Sequence, residues 1–460
     1  MRARDLKPRW LAICLGSALI GAVGFAIFFA LSYLSIDRDA SPSVERVREA
    51  FRKGHLVTDP YQEGSTSIGS HQWNDCLITL MAIDQRGDRV RLALSPIVAG
   101  VPNPPADENP CGVLASLVGG ATPDANPYHY DRYVHGAAVL LRYLLPERSI
   151  SWARGFYRSI LTCLLVAGFA ACLVGIARGA RTALFAVLAV TFIALARFFG
   201  LESFSQSLGH GPADALIAAY ALALALMLFF PTGPSIAIWS AAIFGALTIV
   251  LELFTGGGPL GLAMVIGLGT IAVRRDAQAR GLTIAAAAST AFLVAGAATY
   301  ACKIAAVALL SDFPILKDIL GELAFYSPLA DREDTMGDAM AAVARSIGVL
   351  AGGMGLLSAA TIAMALAAGL YGAVRLLRRR DAEPLARTRA VLLAVSVVPI
   401  AAWFLVFPNH AVVHAWMTDR ILVWPIAAGF AIFVLSLLDE ARAKPDKDIS
   451  AESAAGEWGR

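Results

Sequence analysis

Charged side chains stand at the boundaries of long apolar segments in this sequence, and their types suit group-transfer chemistry. Glu252 ends one apolar segment, Lys303 lies inside another, and Arg420 begins the last one. A carboxylate can accept a proton from a hydroxyl group, and a cation can neutralise an anionic leaving group. Because charges within apolar segments are costly, residues of this kind are candidates for a functional site.

His410 and His414 are four residues apart, so they share one face if their segment is helical. No third ligand stands at metal-site spacing, and we therefore predict no metal site, with a divalent cation left as an open alternative. We predict instead that the two histidines bind phosphate or sugar groups. For both histidines the competing interpretation is simple packing at the membrane interface. For Arg420 and Lys303 the competing interpretation is that the charged group reaches the lipid headgroups and anchors the helix there.

The composition identifies the elements that must position these residues. Hydrophobic residues make up 57% of the sequence and charged residues 16%. The apolar residues form runs of about 20, which is the length a helix needs to cross a hydrocarbon core about 30 Å thick. No basic stripe with interleaved aromatic residues is present, so nucleic acid is not an expected partner. We predict an all-α polytopic membrane protein with about ten transmembrane helices, at residues 10–34, 156–177, 182–199, 212–230, 235–252, 258–273, 282–310, 346–376, 388–406 and 421–438.

Basic clusters predict the orientation of these ten helices. With ten spans every cluster falls on one side, which the positive-inside rule identifies as the cytoplasm. The carboxylates and histidines then gather on the other side. The clusters contain Arg2, Arg4, Lys7, Arg9, Arg178, Arg181, Arg274, Arg275, Arg280, Arg375, Arg378, Arg379 and Arg380. The outer residues are Asp75, Asp131, Arg132, His135, Glu202, His210, Asp214, Glu252, Lys303, His410, His414, Asp419 and Arg420.

Four regions follow from this topology: a first transmembrane helix at 1–35, an extracytoplasmic loop region at 36–155, a transmembrane bundle at 156–438 and a disordered cytoplasmic tail at 439–460. The loop region should carry interfacial helices, one beginning near Ser41 and one from Arg132 to Leu145. Cys76 and Cys111 are the two cysteines of six that lie outside the predicted spans. An oxidising compartment favours a disulfide between them.

This pattern resembles the GT-C class of integral membrane glycosyltransferases. The resemblance rests on a first span followed by a long outer loop, and on three short segments. These segments are Trp73-Asn74-Asp75-Cys76, Tyr130-Asp131-Arg132-Tyr133-Val134-His135-Gly136 and Asn409-His410-Ala411-Val412-Val413-His414-Ala415-Trp416. Many members of this class place an essential acidic residue close to the first span, where this sequence has Asp37 and Asp39. Asp75 lies much further along the chain.

The resemblance implies that a sugar is transferred from a polyprenyl-phosphate-linked donor to a glycan or lipid-linked acceptor. It implies a multi-pass protein of the bacterial inner membrane with its active site facing the periplasm, in contact with membrane lipid. Asp75, or else Asp37, would be the catalytic base. The donor phosphate and sugar would be bound by Lys303, His410, His414, Arg420, Glu252, His135 and Arg132.

Two other classes of function compete with this interpretation. A membrane transporter or a lipid or glycan flippase would hold its polar groups near the middle of the bilayer, between repeats. Lys303, Asp214 and Glu252 would then meet midway through the membrane. An acyl or phosphoethanolamine transferase would require a metal cluster or a His–Asp pair buried in the membrane.

Overall fold

The computed structural model describes residues 10–36, 39–59, 71–98, 109–122, 128–179, 181–198, 207–230, 232–252, 256–273, 280–326, 356–379, 382–413 and 418–443, with isolated residues between 337 and 348. Within these ranges the regular secondary structure is helical. The helices, named in chain order, are α1 Trp10–Ile36, α2 Ser41–Arg52, α3 Gln72–Ile83, α4 Arg89–Leu94, α5 Pro110–Val118, α6 Gly136–Leu144, α7 Ile150–Ala177, α8 Thr182–Phe198, α9 Gly211–Phe229, α10 Pro234–Leu251, α11 Gly257–Leu268, α12 Gly281–Leu310, α13 Ile315–Tyr326, α14 Leu356–Arg378, α15 Pro384–Val395, α16 Val398–Val406, α17 Pro408–Val413 and α18 Val423–Ala443, with a 3₁₀ turn at Asp419–Leu422 before α18.

Eight helical segments of the described chain are long and apolar enough to cross a membrane. Two further apolar segments, Thr182–Arg197 and Gly257–Leu268, are shorter than these eight. All ten coincide in sequence with predicted spans, and the two short ones are the predicted third and sixth. The chain is therefore a polytopic helical membrane protein, as its composition indicated.

The helices pack in two groups that share a common core. In the first group α12 packs between α1 and α10, and in the second α18 packs against α8 and α14. Helix α7 joins the core through α8 and α9. Buried residues of the core include Phe244, Phe292 and Trp424, whereas α1 leaves Leu11, Leu15 and other apolar side chains exposed on the opposite face. In a membrane protein such a face contacts lipid.

The loop region between α1 and α7 forms a small core of its own. Helices α2, α3, α5 and α6 bury Val47, Leu80, Leu114 and Leu141 against the beginning of α7. The sulfur atoms of Cys76 in α3 and Cys111 in α5 lie 2.08 Å apart, which confirms the predicted disulfide pair.

Several predicted boundaries differ from the structure: α7 begins at Ile150 rather than 156, α11 ends at Leu268 rather than 273, and three further differences have a physical reason. The helix predicted from Arg132 to Leu145 begins only at Gly136. Before it, residues 128–130 are extended and pair with residues 96–98: Val98 N–H donates to the Tyr128 carbonyl, and Tyr130 N–H donates to the Pro96 carbonyl. The predicted span 388–406 is divided between α15 and α16 at Ser396 and Val397, just before Pro399, which cannot continue the helical hydrogen bonding. Helix α18 continues to Ala443, into the segment predicted as a disordered tail.

The two ends of the bundle differ in chemistry. At the end where α9 and α11 begin and α10 ends, buried carboxylates, histidines and Arg420 gather; we call this the polar end. At the opposite end, Arg181 donates to the Leu228 carbonyl and Arg387 to the Leu376 carbonyl. This basic end contains the described part of the clusters that predicted the orientation.

Candidate functional site

Arg420 organises a buried charge cluster at the polar end. Its Nη1 donates to Asp214 Oδ1 at 2.6 Å, and its Nη2 donates to Glu252 Oε1. Asp214 lies in the first turn of α9, Glu252 directly follows α10, and Arg420 lies in the 3₁₀ turn before α18. Asp214 and Arg420 are fully buried, and Glu252 is 7% exposed. The sequence thus brings three helix ends together through one guanidinium group.

The two oxygens of the Glu252 carboxylate have different surroundings. Its Oε1 accepts from Arg420 and also from the N–H of Gly257, at 3.2 Å. Gly256 adopts a left-handed conformation (φ 105°) that directs the chain into α11. Glu252 Oε2 has no hydrogen bond with the described residues and lies 3.8 Å from His210 Nδ1. A buried carboxylate oxygen next to a histidine ring is an arrangement suited to accepting a proton.

His210 links this cluster to the loop region. Its Nε2 lies 3.2 Å from Nδ2 of Asn74 in α3, and the His71 ring packs edge-on at 6.2 Å between ring centroids. Burial, reinforced by the neighbouring His210 and Arg420, holds the pKa of His71 well below its usual value. His71 is therefore neutral at physiological pH.

Asp75 is buried and engaged by protein groups on both oxygens. Oδ2 accepts from Arg154 Nε at 2.9 Å, while Oδ1 accepts from Ser207 Oγ at 2.9 Å and from the N–H of Leu208 at 2.7 Å. Burial raises the pKa of Asp75, although the positive charge of Arg154 and the hydrogen bonds oppose that rise. With 0% exposure, this carboxylate joins α3, α7 and the segment before α9. The geometry suits a structural ion pair better than a base that must reach a substrate.

Lys303 lies apart from the charge cluster. Its Nζ donates to the Leu94 carbonyl at the end of α4 and to Ser95 Oγ at 2.9 Å, and it is fully buried. No contact among the described residues joins Lys303 to Arg420. The two cations that were predicted to bind one phosphate therefore occupy different positions.

Arg132 and His410 both line a cleft at the surface of the polar end. Arg132 forms ion pairs with Asp318, at 3.1 Å, and with Glu322, both in α13. His410 in α17 packs against Tyr326 of α13 at 4.7 Å between ring centroids. The carboxylates and the tyrosine of α13 were not predicted, since nothing in their spacing indicates that α13 folds over this region.

His135, which the sequence assigned to the donor phosphate or sugar, and Arg142 are both buried against loop backbone. His135 Nε2 lies 2.8 Å from the Tyr130 carbonyl, and Arg142 Nη2 donates to the Met81 carbonyl at 2.9 Å. Burial, reinforced by the nearby Lys303, lowers the pKa of His135 to about 3. Burial also lowers the pKa of Arg142, to about 10. These two residues hold the loop region together.

Two predicted site residues, Asp37 and His414, lie outside the described residues. The partners that mattered most and were not predicted are His71, Arg154 and Ser207. Each becomes important only through contacts across long sequence separations, and none has a local sequence signal. The described part of the chain contains no group of three or more His, Cys, Asp or Glu residues able to hold a metal ion.

No family model, curated protein or solved structure matches this chain.

Proposed function

We propose that this protein is a membrane glycosyltransferase that moves a sugar from a polyprenyl-phosphate-linked donor to a glycan or lipid-linked acceptor. In this proposal the chain crosses a bacterial inner membrane ten times, with α8 and α11 as the two short spans. The basic end faces the cytoplasm, in keeping with the positive-inside rule, and the polar end faces the periplasm.

The observation that carries the proposal is the convergence of Asp214, Glu252, Arg420 and His210 at one end of a membrane bundle. Sugar transfer from a lipid phosphate needs a proton acceptor for the attacking hydroxyl, close to the membrane surface. Glu252 Oε2, which has no hydrogen bond with the described residues and lies 3.8 Å from His210 Nδ1, supplies such a group. Asn74 reaches the same histidine from the loop region, so the loop and the bundle both contribute to the site.

We assign Glu252 as the proton acceptor, with His210 as its partner, and Asp75 as a positioning residue. Both oxygens of Asp75 are engaged by protein groups, whereas Glu252 retains an oxygen without a hydrogen bond among the described residues. Arg420 orients Glu252, and Lys303 fixes the end of α4. Neither cation is assigned to the donor phosphate, because both are engaged with protein groups.

The positions of the charges along the helices support the transporter interpretation less well than the transferase interpretation. Asp214 stands in the first turn of α9 and Glu252 follows the last turn of α10, so their pairing occurs at helix ends. Lys303, seven residues before the end of α12, does not join them. A site for alternating access is expected near the middle of the bilayer.

The test uses membranes from cells that overproduce the protein, supplied with polyprenyl phosphates carrying radiolabelled glucose, mannose or N-acetylglucosamine. We expect label to enter a glycan or lipid fraction with at least one donor, and polyprenyl phosphate to be released in equal amount. Glu252→Gln should lower this rate by about 10²–10⁴-fold, the usual contribution of a general base. Glu147→Gln, at an exposed glutamate between α6 and α7, serves as the matched control.

Absence of transfer from every donor, combined with movement of a lipid-linked sugar across proteoliposome membranes, would favour the transporter. Full activity of Glu252→Gln would show that another group accepts the proton.

A further inference from the structure

A cleft at the polar end lies between α12, α13, α17 and the segment before α6. The space between its walls amounts to about 350 Å³, a figure that includes open solvent at its mouth. Its walls combine aromatic rings with a few polar groups: Arg132, Tyr133, Tyr300, Glu322, Tyr326 and His410.

The cleft stands at the edge of the bundle, where a lipid-linked molecule would arrive. Helix α13 contacts the bundle through α12 and α17. It turns Ile319, Glu322 and Leu323 toward the cleft, while Leu316 and Leu320 are 63% and 66% exposed on its other face. An exposed apolar stripe on an amphipathic helix is typical of a helix lying at the membrane interface.

The charges of the cleft disfavour an anionic ligand. Arg132 lines the cleft, and its guanidinium group forms ion pairs with two carboxylates, those of Asp318 and Glu322. The three groups together carry one net negative charge. A phosphate would have to compete with two carboxylates for Arg132 and would be repelled by them.

The aromatic walls favour a flat ligand with apolar faces and a hydroxylated edge. Tyr326 and His410 meet edge to face at 4.7 Å between ring centroids, and Tyr133 packs edge-on against Tyr130 at 5.1 Å. Burial raises the pKa of Tyr326 and of Tyr133, so both phenols stay uncharged and can donate or accept hydrogen bonds. The C–H faces of a pyranose ring pack on aromatic rings, and its hydroxyl groups bind carboxylate and guanidinium groups.

We propose that this cleft binds an uncharged sugar ring, with Tyr300 and Tyr326 as its packing surfaces and Glu322 and Arg132 as partners for its hydroxyl groups. The inference rests on the proposed function, which supplies two sources for such a ring, the lipid-linked donor and the acceptor glycan.

Binding is measured by calorimetry on the purified full chain, in an amine-oxide detergent that has no sugar headgroup. Octyl glucoside, below its micelle concentration, and octyl mannoside are the probes, with octanol as the control for the alkyl chain. We expect saturable binding of at least one glycoside. Tyr326→Ala and Tyr300→Ala should weaken that binding at least tenfold. Tyr371→Ala, a 56% exposed tyrosine outside the cleft, should leave it unchanged.

Glu322→Gln keeps the shape of the side chain and is the second variant. It should weaken glycoside binding, because a neutral amide binds a hydroxyl group less strongly than a carboxylate does. Thermal unfolding of each variant shows whether the fold is retained, and retained folding with unchanged affinity in all three cleft variants would overturn the proposal.

Competition identifies the source of the ring. Displacement of the bound glycoside by polyprenyl-phosphate-glucose or -mannose, but not by polyprenyl phosphate, assigns the cleft to the donor. Displacement by short oligosaccharides alone assigns it to the acceptor. Equal displacement by polyprenyl phosphate without sugar, or no glycoside binding at all, would refute a sugar site. Binding in the cleft without transfer in membranes would refute the proposed enzyme while the cleft assignment stands.

Discussion

The buried charges at the polar end are held by partners from distant parts of the chain. Asp75 pairs with Arg154, and Arg420 pairs with Asp214 and Glu252 across 206 and 168 residues. Buried pairs of this kind add little net stability compared with apolar residues, but removing one partner leaves an uncompensated charge. Variants at these positions therefore test folding and chemistry together, and each needs a measurement of both.

Asp75→Asn should lower the free energy of unfolding by about 3–5 kcal/mol, because Arg154 would lose its carboxylate partner in a buried position. Denaturant unfolding of the purified protein in detergent measures this change. Asp39→Asn is the matched control, since Asp39 is exposed and an asparagine can still accept from the Ser41 N–H. A stable Asp75→Asn variant that has lost sugar transfer would return the catalytic role to Asp75.

His135 should make the folded protein less stable in mild acid. Its pKa is about 3 in the folded state, against about 6.5 in the unfolded chain. Between these values the unfolded chain binds the proton, so the free energy of unfolding falls as the pH falls. At pH 5 the free energy of unfolding should therefore be about 2 kcal/mol lower than at neutral pH.

His135→Gln can still donate to the Tyr130 carbonyl, but it does not titrate. Unfolding curves from pH 7 to pH 4 should therefore be less steep for this variant than for the wild type. Parallel curves would contradict the buried, neutral state of His135.

The sequence predicted which kinds of residue gather at the polar end, but not how they pair. Glu252 and Arg420 were recognised because each charge borders an apolar segment. The pairing of Asp75 with Arg154 and Ser207 could not be predicted, because it depends on how the loop region folds onto α7 and α9. Arg132 was predicted to bind the donor phosphate or sugar, and its α13 partners come from a helix that the spacing did not indicate.

At the level of helices, glycine allows α10 and α12 to approach closely. A side chain at Gly245 of α10 would meet the backbone carbonyl of Phe292 in α12, and one at Gly21 of α1 would meet that of Ala295. Small residues at helix interfaces have this role in membrane proteins, where lipid offers no hydrophobic driving force for association.

Gly245→Ala should destabilise the protein by about 1–3 kcal/mol, because the new methyl group must displace backbone rather than a flexible side chain. Gly155 of α7 is the control: a methyl group there meets nothing within 4 Å. Gly155→Ala should be neutral or stabilising, by up to about 1 kcal/mol, because alanine favours the helix. Thermal unfolding of both variants in one detergent checks the difference, and equal effects would contradict the close approach of α10 and α12.

Helix positions were predictable because a membrane requires long apolar runs. The ends were predictable only where a proline, glycine or charged residue interrupts the run. Helix α6 begins later than predicted because residues 128–130 pair with residues 96–98, and this pairing between distant segments leaves no trace in local periodicity.

The whole molecule has two chemically different ends, and this difference makes the orientation testable. Glu45 in α2 and Arg378 at the end of α14 are both exposed, and they belong to opposite sides in the proposed topology. Single cysteines are introduced at these positions after Cys14, Cys163, Cys172 and Cys302 have been replaced by alanine. A maleimide that cannot cross membranes should label Glu45→Cys in spheroplasts, and Arg378→Cys only after lysis. The reverse pattern would place the polar end in the cytoplasm.

The pairing of Arg420 with Asp214 and Glu252 also has a consequence for biogenesis. The ribosome finishes both carboxylates long before it reaches the arginine, which follows them by 206 and 168 residues. During that interval the two helices that carry the carboxylates are already available for insertion, but the partner that neutralises them does not yet exist. The nascent bundle must therefore keep this region hydrated or shielded by the insertion machinery until α18 arrives. A chain whose translation stops before residue 420 would keep both carboxylates without the guanidinium group that neutralises them in the complete protein.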